Sequence, residues 1–195
     1  TTGTDSNTNI NVNGGSDIEN SNVTTGEGST TDIDVSGGSN VSGGEVNTGD
    51  NSTTTIDVTE ESHVDNETVT TGDGSNTDVN INHSNVDDTT ITTGDDSITN
   101  VTIDDGGINN TDITTGDNSN TDVTITNGSD VTGSDITTGD NSNTNIDVSG
   151  GSNVSDGTVT TGENSTTDIN VTGGSNISGE TINTGEGSTT DINVT

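Results

Sequence analysis

Residues 24–46 read TTGEGSTTDIDVSGGSNVSGGEV, and the same phrase returns along the whole 195-residue chain. Restarts at Thr1, Thr24, Asn47, Thr70, Thr92, Thr114, Thr137, Thr160 and Asn183 mark units 1–23, 24–46, 47–69, 70–91, 92–113, 114–136, 137–159, 160–182 and the partial unit 183–195. The consensus is T-T-G-[DE]-x-S-x-T-x-[IV]-x-[IV]-x-G-G-S-x-[IV]-x-x-x-x-[IV]. Self-similarity at a fixed period of about 20 to 50 residues marks an array of stacked units, each too small to bury its apolar face alone. The chain therefore reads as a single repeat domain, and function is sought in the stack rather than in a pocket.

Inside the unit, strict alternation marks one strand. Ser29, Thr31, Ile33 and Val35 point one way, and Thr30, Asp32 and Asp34 point the other. β-branched residues on one side and polar ones on the other are the signature of a half-buried strand. This position pair supplies the expected core ladder: Ile10 and Val12, Ile33 and Val35, Ile56 and Val58, Val79 and Ile81, Val101 and Ile103, Val123 and Ile125, Ile146 and Val148, Ile169 and Val171, Ile192 and Val194. Each layer holds one Ile and one Val in either order, which keeps its volume constant. Glycine pairs such as Gly37-Gly38 and Gly150-Gly151 follow the strand and suit tight corners. A second aliphatic position, at Val41 for example, is followed five residues later by a third, at Val46. That odd spacing breaks the alternation, so a bend is expected between them, near Gly43, Asn66, Gly133 and Gly179. No stretch carries helical i, i+3, i+4 spacing.

The expected fold is all-β: a parallel β-solenoid of about 8.5 coils, 22 or 23 residues each, with two or three short strands per coil and uncapped ends. Like residues then stack about 4.8 Å apart along a thin, close-packed core with no cavity for a substrate. Composition alone would place the chain among disordered polymers, since it is 18% hydrophobic, has no aromatic residue and carries a net charge of −34. The register argues otherwise, because every Ile and Val except Ile98 falls on one of four repeat positions.

The complete absence of Lys and Arg excludes the phosphate contacts that nucleic acid requires and disfavours anionic lipid surfaces. No stretch is apolar for the length of a membrane span. Cysteine is absent, so no disulfide or thiolate-held metal contributes. The sequence contains no Met and begins on the repeat phrase, which suits a mature, exported chain. Ordinary rungs at both ends lead to the expectation of a head-to-tail, open filament built from copies of this chain.

The period, with its abundance of Gly, Asn, Ser and Thr, resembles the curlin repeats of curli and other secreted functional-amyloid subunits. The closest local likeness is Gly49-Asp50-Asn51-Ser52-Thr53-Thr54, which is similar to the family's Gly-x-Gly-Asn-x-Ala segment. That resemblance implies an extracellular β-solenoid fibril of the biofilm matrix, serving adhesion and cohesion.

One column carries the clearest candidate chemistry: Glu27, Asp50, Asp73, Asp95, Asp117, Asp140, Glu163 and Glu186 each follow the repeat glycine. Stacked one coil apart, neighbouring carboxylates repel by about 0.9 kcal/mol in water, so cations are expected company. Oxygen-rich turns make Ca²⁺ the candidate ion, although no cofactor is required and a solvated acidic edge suited to high salt would look the same. His63 and His83 read as surface residues. No non-repeating Ser, His and Asp constellation is present, so catalysis is not expected. Two rival functions share the architecture. One is a Ca²⁺-binding repeat stalk of a larger adhesin. The other is ice binding through outward threonine pairs, Thr68/Thr70, Thr90/Thr92 and Thr158/Thr160, interrupted by Glu45, Asp112 and Asp135.

Overall fold

The computed structural model describes residues 1–195. The alternating segments form 25 strands without a helix, arranged in three parallel sheets. Each complete unit gives one strand to each sheet, so a coil has three faces. The first sheet holds nine longer strands, from Asn7–Val12 through Thr53–Thr59 to Thr189–Val194. The second runs from Asp17–Glu19 to Asn176–Ser178 and the third from Asn22–Thr24 to Thr181–Thr184, with eight short strands in each. Pairing is like on like: Ile10 lies beside Ile33, Ile33 beside Ile56 and Val79 beside Val101. The two 22-residue units keep this register, since the lost residue falls in the corner after the first strand and Asn76 still pairs with Ile98.

The corners are sharp, and the backbone turns them by entering the left-handed region. At the corner leading into the first sheet that residue is Asp5, Gly28, Asn51, Gly74, Asp96, Asn118, Asn141, Asn164 or Gly187, all with positive φ. These are the residue types that tolerate such φ, Gly because it lacks Cβ and Asn or Asp because their short side chains bond locally. The bend between the second and third sheets falls where the odd spacing predicts it, at Gly43, Asn66, Gly133 and Gly179 with φ of 67°, 53°, 61° and 73°.

The aliphatic columns of all three sheets meet in one core cluster. Two expectations need correction. Ile192 and Val194 are 51% and 70% exposed, because strand Thr189–Val194 is joined by no second- or third-sheet strand of its own unit. Ile10, covered from one side only, is half-buried. The core is also not solid: units 1 to 4 surround a partly open apolar cavity of about 260 Å³, lined by Ile10, Ile33, Val46, Ile56, Val69 and their neighbours. In the middle of the stack the void bordered by Ile103, Ile108 and Ile113 is only about 30 Å³, and another of about 330 Å³ lies between units 7 and 9, beside Ile169, Ile177 and Ile192.

Hydroxyl ladders run beside the aliphatic ones. The N–H of Ser97 donates to Ser119 Oγ at 3.1 Å, the N–H of Ser119 to Ser142 Oγ at 3.1 Å, and the pattern repeats from Ser6 to Ser188 without a break. Each interior Oγ in turn donates to the glycine carbonyl of the coil below, as Ser119 Oγ does to Gly94 O at 3.3 Å. One side chain thus both accepts from and donates to the coil below it. Facing threonines bond across the same corner, Thr93 with Thr99 and Thr115 with Thr121, both at 3.1 Å. Ser119→Ala leaves the buried Ser97 N–H without its acceptor, so a loss of about 1 to 3 kcal/mol is expected by denaturant unfolding. Ser6→Ala, whose Oγ accepts from no lower coil, is expected to lose much less.

Candidate functional site

The corner that carries the acidic column is built by three consecutive residues. In the phrase Thr93-Gly94-Asp95-Asp96, Gly94 N–H donates to Thr71 O, Asp95 N–H to Asp73 Oδ1 at 2.9 Å, and Asp96 N–H to Asp117 O at 2.8 Å. The chain bends here, so the acidic residue's N–H finds a carboxylate of the preceding coil as its acceptor. The same bond links Asp50 to Asp73, Asp95 to Asp117, Asp117 to Asp140 and Asp140 to Glu163, at 2.7 to 3.0 Å. The bond is made by the aspartates of the column, whereas Glu27 and Glu163 place no carboxylate oxygen at the glycine of the next coil. A Cβ on the next glycine would meet backbone N and C atoms of the coil below, at 2.7 and 2.8 Å for Gly116 and at 2.6 and 2.8 Å for Gly49, which explains the unbroken glycine column; where aspartate precedes, its carboxylate oxygen crowds the same place, 2.2 Å away at Gly116. The column is therefore a main-chain bonding device along one edge. Its carboxylates stand singly, and no three His, Cys, Asp or Glu side chains converge to hold a metal ion.

The outward face of the first sheet mixes carboxylates with amides. Asn80 Nδ2 donates to Asp57 Oδ1 and Asn100 Nδ2 to Asp78 Oδ1, both at 2.7 Å, and Asn170 Nδ2 to Asp147 Oδ1 at 2.9 Å. Such charge-assisted bonds offset repulsion along the stack. Asp34 stacks directly on Asp57 with no amide between, and its carboxyl is pushed above the usual range by partial burial and then by Asp57 and Asp32. Ile98 points outward on this face in register with Asn76 and Asn120 and is 47% exposed. Both histidines lie at the surface, each beside an aspartate one coil on: His63 Nε2 is 3.5 Å from Asp87 and His83 Nε2 is 3.1 Å from Asp105.

Sequence reasoning missed one inward column at the third corner: Ser21, Gly44, Glu67, Thr89, Thr111, Ser134, Gly157 and Glu180. Twice a glycine is followed one coil later by a glutamate, and that offset pair is the signal that could have found it. The Glu67 carboxylate folds back over the bare glycine, Oε1 accepting from Gly44 N–H at 2.8 Å; Glu180 repeats this with Gly157 at 3.0 Å. A Cβ on Gly44 would lie 2.3 Å from Ser21 O and 2.8 Å from Glu67 Oε2. Glu67 is only 6% exposed and borders the axial cavity. Burial pushes its carboxyl up, and the Gly44 N–H only partly restores it.

A raised folded-state value means that the native chain binds this proton more tightly than the unfolded chain. The stability linked to Glu67 is thus greatest when it is protonated, and falls as pH rises through the window between the ordinary glutamate value and the raised one. Glu67→Gln is expected to flatten that part of the melting temperature against pH curve and to be at least as stable as the parent at pH 7. A steeper fall in the variant would contradict the assignment.

The outward face of the third sheet aligns threonines. Thr70, Thr92, Thr114, Thr137 and Thr160 stand side by side on five successive coils. The parallel row two residues back holds Thr68 and Thr90, then Asp112 and Asp135, then Thr158 and Thr181.

Compared with models of protein families, with curated proteins and with solved structures, the chain matches none of them.

Proposed function

We propose that the chain is a structural subunit of an extracellular filament that grows by strand stacking along the solenoid axis, of the kind used for matrix cohesion and adhesion. The observation that supports this reading is propagation. Each coil offers the next the same three strands in the same register, like residue on like residue. Strand Thr189–Val194 leaves Ile192 and Val194 open in that register, and a further coil set on it, of a longer chain or of a second copy, covers both. Cations are the partners that neutralise the −34 charge, so assembly is expected to speed up with salt as repulsion between chains is screened. Electron microscopy and fibre diffraction of the purified chain test the reading. Long filaments one solenoid wide, with an axial repeat of about 4.8 Å, support it. Monodisperse rods that need Ca²⁺ would replace it with the adhesin stalk.

One observation favours a second reading, ice binding: the unbroken outward row from Thr70 to Thr160 on the third sheet. Thermal hysteresis that disappears in Thr114→Glu, with the fold intact by circular dichroism, would support it over the filament. Asp112 and Asp135 beside that row weaken it, because charged groups hold water in their own geometry.

A further inference from the structure

We propose that the axial cavity of units 1 to 4 is a binding site for a slender primary alkylammonium, its ammonium on Glu67 Oε2 and its chain along the Ile and Val columns. The inference goes beyond the filament reading and concerns the dispersed chain, whose first coil is uncovered. The cavity, about 260 Å³, is lined by aliphatic side chains from four successive coils, by Ser21, Asn22 and Thr89, and by a single charged group, Glu67. Four coils set about 4.8 Å apart make it at least about 14 Å long. A dry cavity of about 150 Å³ holds a benzene molecule, so this one has room for about ten heavy atoms in line.

Glu67 supplies the head-group chemistry. Oε1 is taken by the Gly44 N–H, and Oε2 makes no hydrogen bond to the chain. No fully buried polar side-chain atom lacks a partner, so Oε2 borders open space, and Glu67 is among the residues that line this cavity. A half-satisfied carboxylate in apolar surroundings is costly, and a cationic N–H donor relieves that cost through a charge-assisted bond. An alkyl carboxylate would meet repulsion from Glu67 and from the −34 field of the whole molecule. Aromatic or branched chains do not suit a tube bounded by stacked β-branched columns. The void reaches the surface at unit 1, where Ile10, Ile18 and Val23 are only partly buried and Asn22 is exposed.

Calorimetric titration of the dispersed 195-residue chain with octylamine at pH 7 tests this, in enough salt (~0.5 M) to suppress condensation on the acidic surface. One saturable site per chain is expected, weakening about four-fold for each methylene removed towards butylamine. Glu67→Gln keeps an acceptor for Gly44 and is expected to weaken octylamine at least about ten-fold while leaving octanol unchanged. Val69→Ile, which narrows the void with one methylene, is expected to weaken both. Many weak sites without chain-length dependence would overturn the proposal, as would equal octylamine affinity in Glu67→Gln or no binding at all.

Discussion

Ile103→Asp is expected to remove the cooperative thermal transition of the intact stack. Ile103 is 0% exposed in the fifth of the complete coils, with Ile81 and Ile125 beside it in register. The substitution removes the burial of an aliphatic side chain and puts a carboxylate in the core of a chain that has no Lys or Arg to pair with it. A loss above about 4 kcal/mol follows. In a one-dimensional array the damage spreads through the interfaces to units 4 and 6, which leaves two short stacks. Hydrogen exchange is expected to show protection lost over residues 70–136 and partly kept towards both ends. Ile10→Asp, in a half-covered coil, is expected to lose only the first coil. Equal effects for the two variants would mean that the coils do not share one core.

Gly116→Ala is expected to be nearly as damaging, although its backbone is one that any residue adopts. The new Cβ would lie 2.2 Å from Asp95 Oδ1, 2.7 Å from Asp95 N and 2.8 Å from Gly94 C. The side chain can swing away only by abandoning the Asp117 N–H, and the two backbone atoms cannot move without opening the coil spacing. A loss of about 3 kcal/mol or more is expected from the strain and the broken bond together. Gly151→Ala makes the comparison: φ there is 81°, yet nothing lies within 4 Å, so the loss is about 1 kcal/mol from left-handed strain alone. Conformational freedom by itself predicts the reverse order, and chemical denaturation of the two variants decides between them.

The strand faces were legible because the alternation in Ser-x-Thr-x-Ile-x-Val has only one physical reading, and the register followed from the constant period. The third face was half legible: the spacing of five demanded a bend, and the left-handed tolerance of Gly43 and Asn66 located it. The axial cavity was not legible, because whether Val or Ile fills the centre depends on how far apart three sheets stand, and no local pattern reports that distance. The acidic column was visible as charge but not as structure. Its role rests on the Asp95 N–H meeting Asp73 Oδ1, a geometry set by the corner. Glu67 went unseen because its meaning lies in Gly44 one coil earlier, a relation between units rather than within one.

The axial direction of every ladder bond has a mechanical consequence. A pull on the two termini loads the hydrogen bonds of one end coil at a time, so the rod yields by peeling rather than by shearing. Each 23-residue coil adds about 4.8 Å to the folded length and releases about 75 Å of extended chain when it opens. Anchored at both ends, such a rod lengthens in equal steps to many times its resting span, dissipates work at each step, and rewinds from whichever coils stay closed.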